Sequence, residues 1–364
     1  MIKIPVTDHL ARFPPPCPHE VTMNARRQSV ALLLLPLLTL LIGIGSSRAD
    51  DAPVKLELIE VTKVWDKAPH NAFTDLIRFR DQWYLGLREA KSHGVAGDGD
   101  VRVIRSADGK HWESVALLDW GPEWDMRDAK LNVLPDGRLM LNTAAAPLAD
   151  IGSRQSLAWF TNDGTDWSDG PHKVGELDYW LWGVTVHPDG AIYGVGYGDL
   201  KNRPCTSRLY RSTDGIDYAT IASTMSATPT SGETALLFRN DGSAVALVRL
   251  QGDRSRIGTA RGDYTEWTFK DIDQGTGGPE LIELPDGTLL AGTRLLSGKV
   301  RTSLCWVDPE AGRMVELLQL PSKGDTSYPG LVWHDGVLWM SYYSTHEGKS
   351  SIYLAKIRVK PAAN

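Results

Sequence analysis

Several things are scarce in this 364-residue chain, and each scarcity excludes something. Three cysteines are too few for a disulfide framework. Two of them, Cys205 and Cys305, fall in different repeats, so they are not expected to pair, and their spacing makes no metal site. A basic excess is missing: a net charge of −6 and a pI near 5.9 give no electrostatic basis for nucleic-acid binding. Helical periodicity of any length is absent beyond residue 50, which removes bundles and alternating α/β folds. The one sustained apolar run, residues 30–45, is short for a membrane span and is interrupted by Pro36.

That run has a different reading. Arg26-Arg27 precede it, and Ser47-Arg48-Ala49 place small residues at −3 and −1 of a cut before Asp50, the pattern of a secretory signal peptide. The expectation is cleavage after Ala49 and a secreted or periplasmic product, with no membrane span after cleavage. Residues 1–49 form an N-terminal extension and leader, with Met23 as an alternative start, and residues 50–364 form one domain.

What the chain has is repetition. Leu134-Pro135-Asp136-Gly137, His187-Pro188-Asp189-Gly190, Arg239-Asn240-Asp241-Gly242, Leu284-Pro285-Asp286-Gly287 and His334-Asp335-Gly336 each sit between two apolar, β-rich runs, their glycines 53, 52, 45 and 49 residues apart. Asp-Gly between such runs is a hairpin signal, because Gly accepts the positive φ these turns need. A sixth turn, Arg80-Asp81-Gln82, lacks the Gly. Units of about 50 residues with four short strands each mark propeller blades. The fold expected is all-β, a six-bladed β-propeller of four-stranded antiparallel blades. The last unit ends with three strands, so the strand at 54–65 is expected to complete it and close the ring.

A second signature recurs in the outer turns. Ser106-Ala107-Asp108-Gly109-Lys110-His111-Trp112 is repeated as Thr161-Asn162-Asp163-Gly164-Thr165-Asp166-Trp167 and Ser212-Thr213-Asp214-Gly215-Ile216-Asp217-Tyr218. The Asp accepts backbone N–H groups within the turn, so these loops are structural rather than catalytic.

Starts of first strands and ends of second strands emerge on one face of a propeller. Those positions hold Arg88, Arg127, Asp128, Trp180, Trp182, Glu233, Arg249, Arg294, Asp325 and Tyr328, together with Asp75, Glu89, Lys130, Glu280, Ser327, Tyr342, Tyr343, His346 and Glu347. Arginines converging on one mouth repel, so an anionic ligand or a ring of interleaved carboxylates must offset them. Either Trp180 and Trp182 stack on a sugar ring or they pack between blades.

The S-x-D-G-x-x-W turns resemble the Asp boxes of the sialidase (neuraminidase) superfamily, and the blade number agrees. That resemblance implies a secreted retaining glycoside hydrolase acting on a terminal acidic, sialic-acid-like or related sugar. It implies Tyr328 as nucleophile, assisted by Glu233, with an acid from the loop after blade one's second strand, Asp98 or Asp100. Arg249 and Arg294 match two of the family's three substrate arginines. The third is missing, because Asn71-Ala72-Phe73-Thr74-Asp75 stands where an Arg-Ile-Pro-like motif would be, leaving Arg88 or Arg127 as its substitute. Asp128 and Trp182 complete the expected substrate contacts. No cofactor or metal is expected; the partner is a carbohydrate and the chain a monomer. The competing reading is a propeller that binds glycan or protein without turning it over.

Overall fold

A computed structural model describes residues 51–94, 99–150, 152–198, 206–226, 231–250, 254–272 and 274–362. The expected leader and its cleavage site lie outside these residues, as does Cys205. Six four-stranded antiparallel sheets account for the described chain, and no α-helix occurs among the described residues.

Each sheet is a blade whose strands run outward in sequence order. Blade one is β2 (His70–Phe79), β3 (Gln82–Ala90), β4 (Asp100–Ser106) and β5 (Glu113–Leu118). Blade two is β6 (Trp124–Val133), β7 (Leu139–Pro147), β8 (Gln155–Thr161) and β9 (Asp169–Val174). Blade three is β10 (Trp180–Val186), β11 (Ile192–Gly198), β12 (Thr206–Ser212) and β13 (Ala219–Ser226). Blade four is β14 (Ser231–Phe238), β15 (Ser243–Leu250), β16 (Ser255–Arg261) and β17 (Thr268–Ile272). Blade five is β18 (Thr276–Glu283), β19 (Leu289–Leu295), β20 (Arg301–Asp308) and β21 (Arg313–Gln319). Blade six is β22 (Thr326–His334), β23 (Val337–Ser344) and β24 (Ser351–Pro361), finished by β1 (Val54–Trp65) in the order β1-β24-β23-β22. The register from Val54 opposite Pro361 to Trp65 opposite Ile352 closes the ring between its first and last strands.

The turns explain the repeat. Gly137, Gly190, Gly242 and Gly287 take φ between 77° and 88°, where a side chain would clash with its own backbone. Blade one manages without Gly because Arg80 (φ 48°) and Asp81 (φ 60°) both adopt the left-handed conformation of a tight two-residue hairpin. In the outer turns Asp108, Asp163 and Asp214 each accept two backbone N–H groups at 2.8–2.9 Å. Inner and middle strands carry the core, while outer strands such as β9 alternate exposed and covered residues. Between blades one and six Trp83 packs on Trp339 with ring centroids 4.4 Å apart. Cys305 is a free, buried thiol in β20.

Candidate active site

The inner strands begin further upstream than the hydrophobic runs suggest, because each is interrupted by a bulge. Two residues stand against one at 73–74 in β2, 128–129 in β6, 232–233 in β14, 278–279 in β18 and 328–329 in β22; in β10 the extra residue is Trp182. Phe73 (φ 56°), Asp128 (φ 54°), Gly278 (φ 55°) and Tyr328 (φ 50°) share one left-handed backbone geometry. A bulge re-aims side chains that would otherwise alternate along the strand. Left-handed residues other than Gly cost about 1–2 kcal/mol each and collect where function needs them. The propeller thus carries a ring of six re-aimed positions: Phe73, Asp128, Trp182, Glu233, Gly278 and Tyr328.

Three of these form the centre of the site. The Tyr328 hydroxyl donates to Glu233 Oε1. Arg249 Nη1 meets the same oxygen at 2.8 Å, and the Gly278 backbone N–H donates to Oε2 at 2.7 Å. Burial alone would raise the Glu233 pKa, but the Arg249 charge, the Tyr328 hydroxyl and the Gly278 amide outweigh it and hold it below the ordinary glutamate value. Burial and the adjacent Glu233 charge push the Tyr328 phenol well above its ordinary value. The pair is therefore a neutral phenol hydrogen-bonded to a carboxylate. Arg294 lies 5.7 Å from the Tyr328 ring centre, with Nη1 3.3 Å from Thr326 O and 4.0 Å from Asp325.

Asp128 and Trp182 are brought to the same place. Trp182 Nε1 donates to Asp128 Oδ2 at 3.1 Å, and its ring lies edge-on to Tyr328 at 6.4 Å. Burial, then the Glu233 charge, raises the Asp128 pKa to about 6.

Arg88 departs from the expectation. Its side chain is wholly buried, its guanidinium bound to Asp125 Oδ1 at 2.5 Å, Met126 O at 3.0 Å and Ser92 O at 2.9 Å. It holds the blade-one loop to blade two and is not a ligand contact. Arg127 joins it, with Nη1 3.3 Å from Asp125 Oδ2 and Nη2 donating to His93 O at 2.9 Å. Asp98 lies outside the described residues. Asp100 opens β4 in register with Glu89, on the third strand from the axis.

Other expected mouth residues serve elsewhere. Asp75, Lys130 and Glu280 follow the bulges and line an axial cavity of about 180 Å³, where Lys130 and Glu280 pair at 2.9 Å. Glu89 turns outward to Arg102 and the Trp65 indole. His346 packs tilted against the Tyr353 ring and Glu347 pairs with Lys63, both away from the axis.

The hydrophobic pattern does not reveal a further cluster. Asp325 Oδ2 accepts from His70 Nε2 at 2.9 Å and His93 Nδ1 at 2.8 Å, and Oδ1 accepts from the Tyr343 hydroxyl at 2.6 Å. Among the described residues His70, His93 and Asp325 are the ones whose ligand atoms, all within 4.8 Å, could together hold a metal; as they stand, both imidazoles bond to one oxygen. Tyr343 was expected at the mouth from its place at a second-strand end, whereas Asp125, His70, His93 and Gly278 escaped the sequence reading, and Phe73 entered it only as part of the segment where an arginine motif is missing. A usable signal existed: Asp128, Glu233 and Gly278 each lie nine residues before a turn glycine, and Tyr328 lies eight before its shorter turn.

No family model matches the chain, and no curated protein matches it. Solved structures do. A Dyadobacter fermentans protein of unknown function aligns at 16% identity with a TM-score of 0.72, over 84% of this chain and 100% of its own. An α-L-arabinofuranosidase from Fusarium graminearum, bound to an iminosugar inhibitor, aligns at 12% identity and TM-score 0.64, over 83% of this chain and 98% of that one. Trypanosoma rangeli sialidase, in complex with the inhibitor DANA, aligns at 12% identity and TM-score 0.62; the alignment covers 79% of this chain and just over half, 55%, of the sialidase. At these identities the likeness is one of fold alone: the chain is a six-bladed β-propeller, the architecture on which it aligns with the sialidase and the arabinofuranosidase.

Proposed function

We propose that the protein is a retaining glycoside hydrolase, exported by the leader expected over residues 1–49, that cleaves a terminal sugar with Tyr328 as nucleophile. The observation that carries this is the buried Tyr328–Glu233 pair with the partly exposed Arg249 bound to the same carboxylate. A phenol is a poor nucleophile with its proton on, so a base must remove that proton during attack. Glu233 is placed for that and is ionised. As Tyr328 Oη bonds to the anomeric carbon, its proton passes to Glu233 and the glycosidic bond breaks. The departing oxygen takes a proton from an acid, giving the free alcohol and a tyrosyl glycoside. In the second half a water loses its proton to that acid's carboxylate and attacks the anomeric carbon. Tyr328 leaves and recovers its proton from Glu233, and the net configuration is retained. Tyrosine nucleophiles are a known exception to the two-carboxylate scheme.

We assign the acid to Asp128, whose pKa near 6 keeps it protonated in mildly acid solution. Asp98 and Asp100 are the competing assignments from the sequence. Asp325 and its two histidines form the wall beside Arg294.

The test is Tyr328→Phe, which removes one oxygen without changing shape. With a substrate found by screening aryl glycosides, kcat should fall about 10³-fold or more while the melting temperature holds. A Tyr328→Phe variant with wild-type turnover overturns the mechanism. Silence of the wild-type protein across the panel, with glycan binding retained, would instead favour a binding propeller.

A further inference from the structure

The geometry points to a binding site for one divalent transition-metal ion of the zinc class, held by His70, His93 and Asp325 at the mouth between blades one and six. This goes beyond the glycosidase reading and needs no turnover to be tested. His70 opens β2, His93 lies in the loop after β3, and Asp325 directly precedes β22. Three separate stretches of chain thus bring two imidazoles and a carboxylate together, their ligand atoms all within 4.8 Å of one another. Zinc-class ions bind such atoms at about 2.0–2.2 Å, which sets the atoms about 3.4 Å apart in a tetrahedral site. His70 Nε2 and His93 Nδ1 already stand 2.9 and 2.8 Å from Asp325 Oδ2. A retreat of that oxygen by about half an ångström brings both separations to the tetrahedral value.

The donor set names the class of ion. Two imidazole nitrogens with one carboxylate suit zinc and its neighbours, whereas calcium and magnesium take shells of oxygen. Three protein ligands also leave a fourth position for water or an oxygen of a bound molecule, the arrangement of catalytic rather than closed structural zinc sites. The His93 side chain is 51% exposed, which gives an ion a way in from solvent. The cluster stands on the wall of the candidate active site, with the Phe73 ring 5.4 Å from that of His93 and 4.9 Å from that of Tyr328.

The surroundings hold these ligands in place. Tyr343 donates to Asp325 Oδ1 at 2.6 Å and Arg294 stands 4.0 Å from that same atom, which leaves Oδ2 as the ligand oxygen. Carboxylates that bind metals are steadied by such partners. The Asp325 amide donates to Thr345 Oγ1 at 3.2 Å, and its carbonyl accepts from the Thr345 amide at 3.0 Å. The His93 loop is pinned at three successive carbonyls: Arg88 binds Ser92 O at 2.9 Å and Gly94 O at 3.4 Å, and Arg127 binds His93 O at 2.9 Å. The His70 ring sits edge-on to Phe73 and Tyr343. Its Nδ1 is buried without a partner among the described residues, so one polar ring atom goes unpaired whether Nε2 turns a proton toward Asp325 or a lone pair toward an ion. His70 alone would tie blade one to Asp325. The half-exposed His93 adds little to such a brace, since a polar contact open to water is worth little, but it completes a ligand set.

The experiment is a calorimetric titration of zinc into the purified protein, freed of metal by a chelator and carrying no histidine tag, with the melting temperature followed in parallel. The expected result is one zinc per chain, a Kd of about 1 μM or tighter, and a melting temperature that rises with zinc. Excess calcium or magnesium should not displace the ion. His93→Ala changes a half-exposed position, so it should keep the fold and weaken zinc binding by about tenfold or more. Asp325→Asn gives a second reading, since it keeps the shape of the ligand and removes its charge, and it should weaken binding as well. His111→Ala, which removes a surface histidine paired with Asp108, should leave the Kd unchanged. Absence of saturable zinc binding overturns the inference, as does a preference for calcium over zinc. Unchanged zinc affinity in either folded variant, His93→Ala or Asp325→Asn, overturns it too. Each of these outcomes leaves the glycosidase reading where it stands, because Tyr328 and Glu233 are not ligands.

Discussion

Gly278 and Tyr328 touch so closely that a Cβ on Gly278 would lie 2.7 Å from Cγ and Cδ2 of the tyrosine ring. The two residues occupy equivalent bulges in neighbouring blades, and Gly278 also gives its amide to Glu233. One glycine therefore sets the position of the nucleophile's ring and one oxygen of its base. Its φ of 55° would strain an alanine as well.

Gly278→Ala should accordingly cost both stability and turnover. Overpacking a tight contact costs about 1–3 kcal/mol, and the left-handed backbone about 1–2 kcal/mol more for an L side chain. The expected outcome is a lower melting temperature and a kcat reduced by about tenfold or more. Gly183→Ala is the comparator, because it sits in an inner strand with nothing within 4 Å of an added Cβ and an ordinary φ. Wild-type kcat in Gly278→Ala would show that the contact does not position Tyr328.

Glu233→Gln separates charge from shape at the same place. The amide can still accept from Tyr328 but cannot take its proton, so kcat should fall by about 10²–10⁴-fold with KM little changed. The accompanying stability loss should be modest for a buried pair, since the Arg249 side chain is 31% exposed and water can solvate it. Equal falls in kcat and in sugar affinity would mean that Glu233 only shapes the pocket.

The architecture was legible because it is written six times. Turn glycines between β-rich runs gave the blade count, and the shortfall of one strand in the last unit located β1. The glycine-free first turn was legible as a turn but not in its geometry, since nothing in Arg80-Asp81 announces two left-handed residues. The site was legible only in part. Tyr328, Glu233, Arg249, Arg294, Asp128 and Trp182 do gather, because strand ends were the right place to look. Arg88 misled: a strand-end arginine reads the same whether it meets a ligand or a buried carboxylate, and Asp125 sits 37 residues away. Lys130, Asp75 and Glu280 misled because each bulge divides its strand, and the residues after it face the axial cavity.

The outer turns offer a stability test with no functional component. Burial is the largest single influence on Asp214 and raises its carboxyl, but the amides of Ile216 and Asp217 at 2.8 and 2.9 Å and the Ser212 hydroxyl at 2.9 Å together hold it below the ordinary value. Asp214→Ala should lower the melting temperature by about 2–4 °C, with KM and kcat unchanged. A change in KM would place this turn near the substrate, contrary to its position between the outer strands β12 and β13.

The pH profile tests the acid. Asp128 is raised by burial and then by Glu233 from its ordinary 3.8 to about 6, whereas Glu233 is held below its ordinary 4.5. Between those limits Glu233 is a base and Asp128 an acid, so kcat/KM should be highest there and fall as pH rises through about 6. In Asp128→Asn the alkaline limb should disappear along with most of the rate, and an aryl glycoside with a good leaving group should lose least, because it needs no proton. Stability moves with the same group. A raised carboxyl contributes stability that is fully present below 3.8 and is lost as pH rises through about 6. Asparagine does not ionise, so the melting temperature of Asp128→Asn relative to wild type should be more favourable at pH 8 than at pH 4. If Asp128→Asn keeps the alkaline limb while Asp98→Asn removes it, the loop carboxyl is the acid and Asp128 only positions the Trp182 indole.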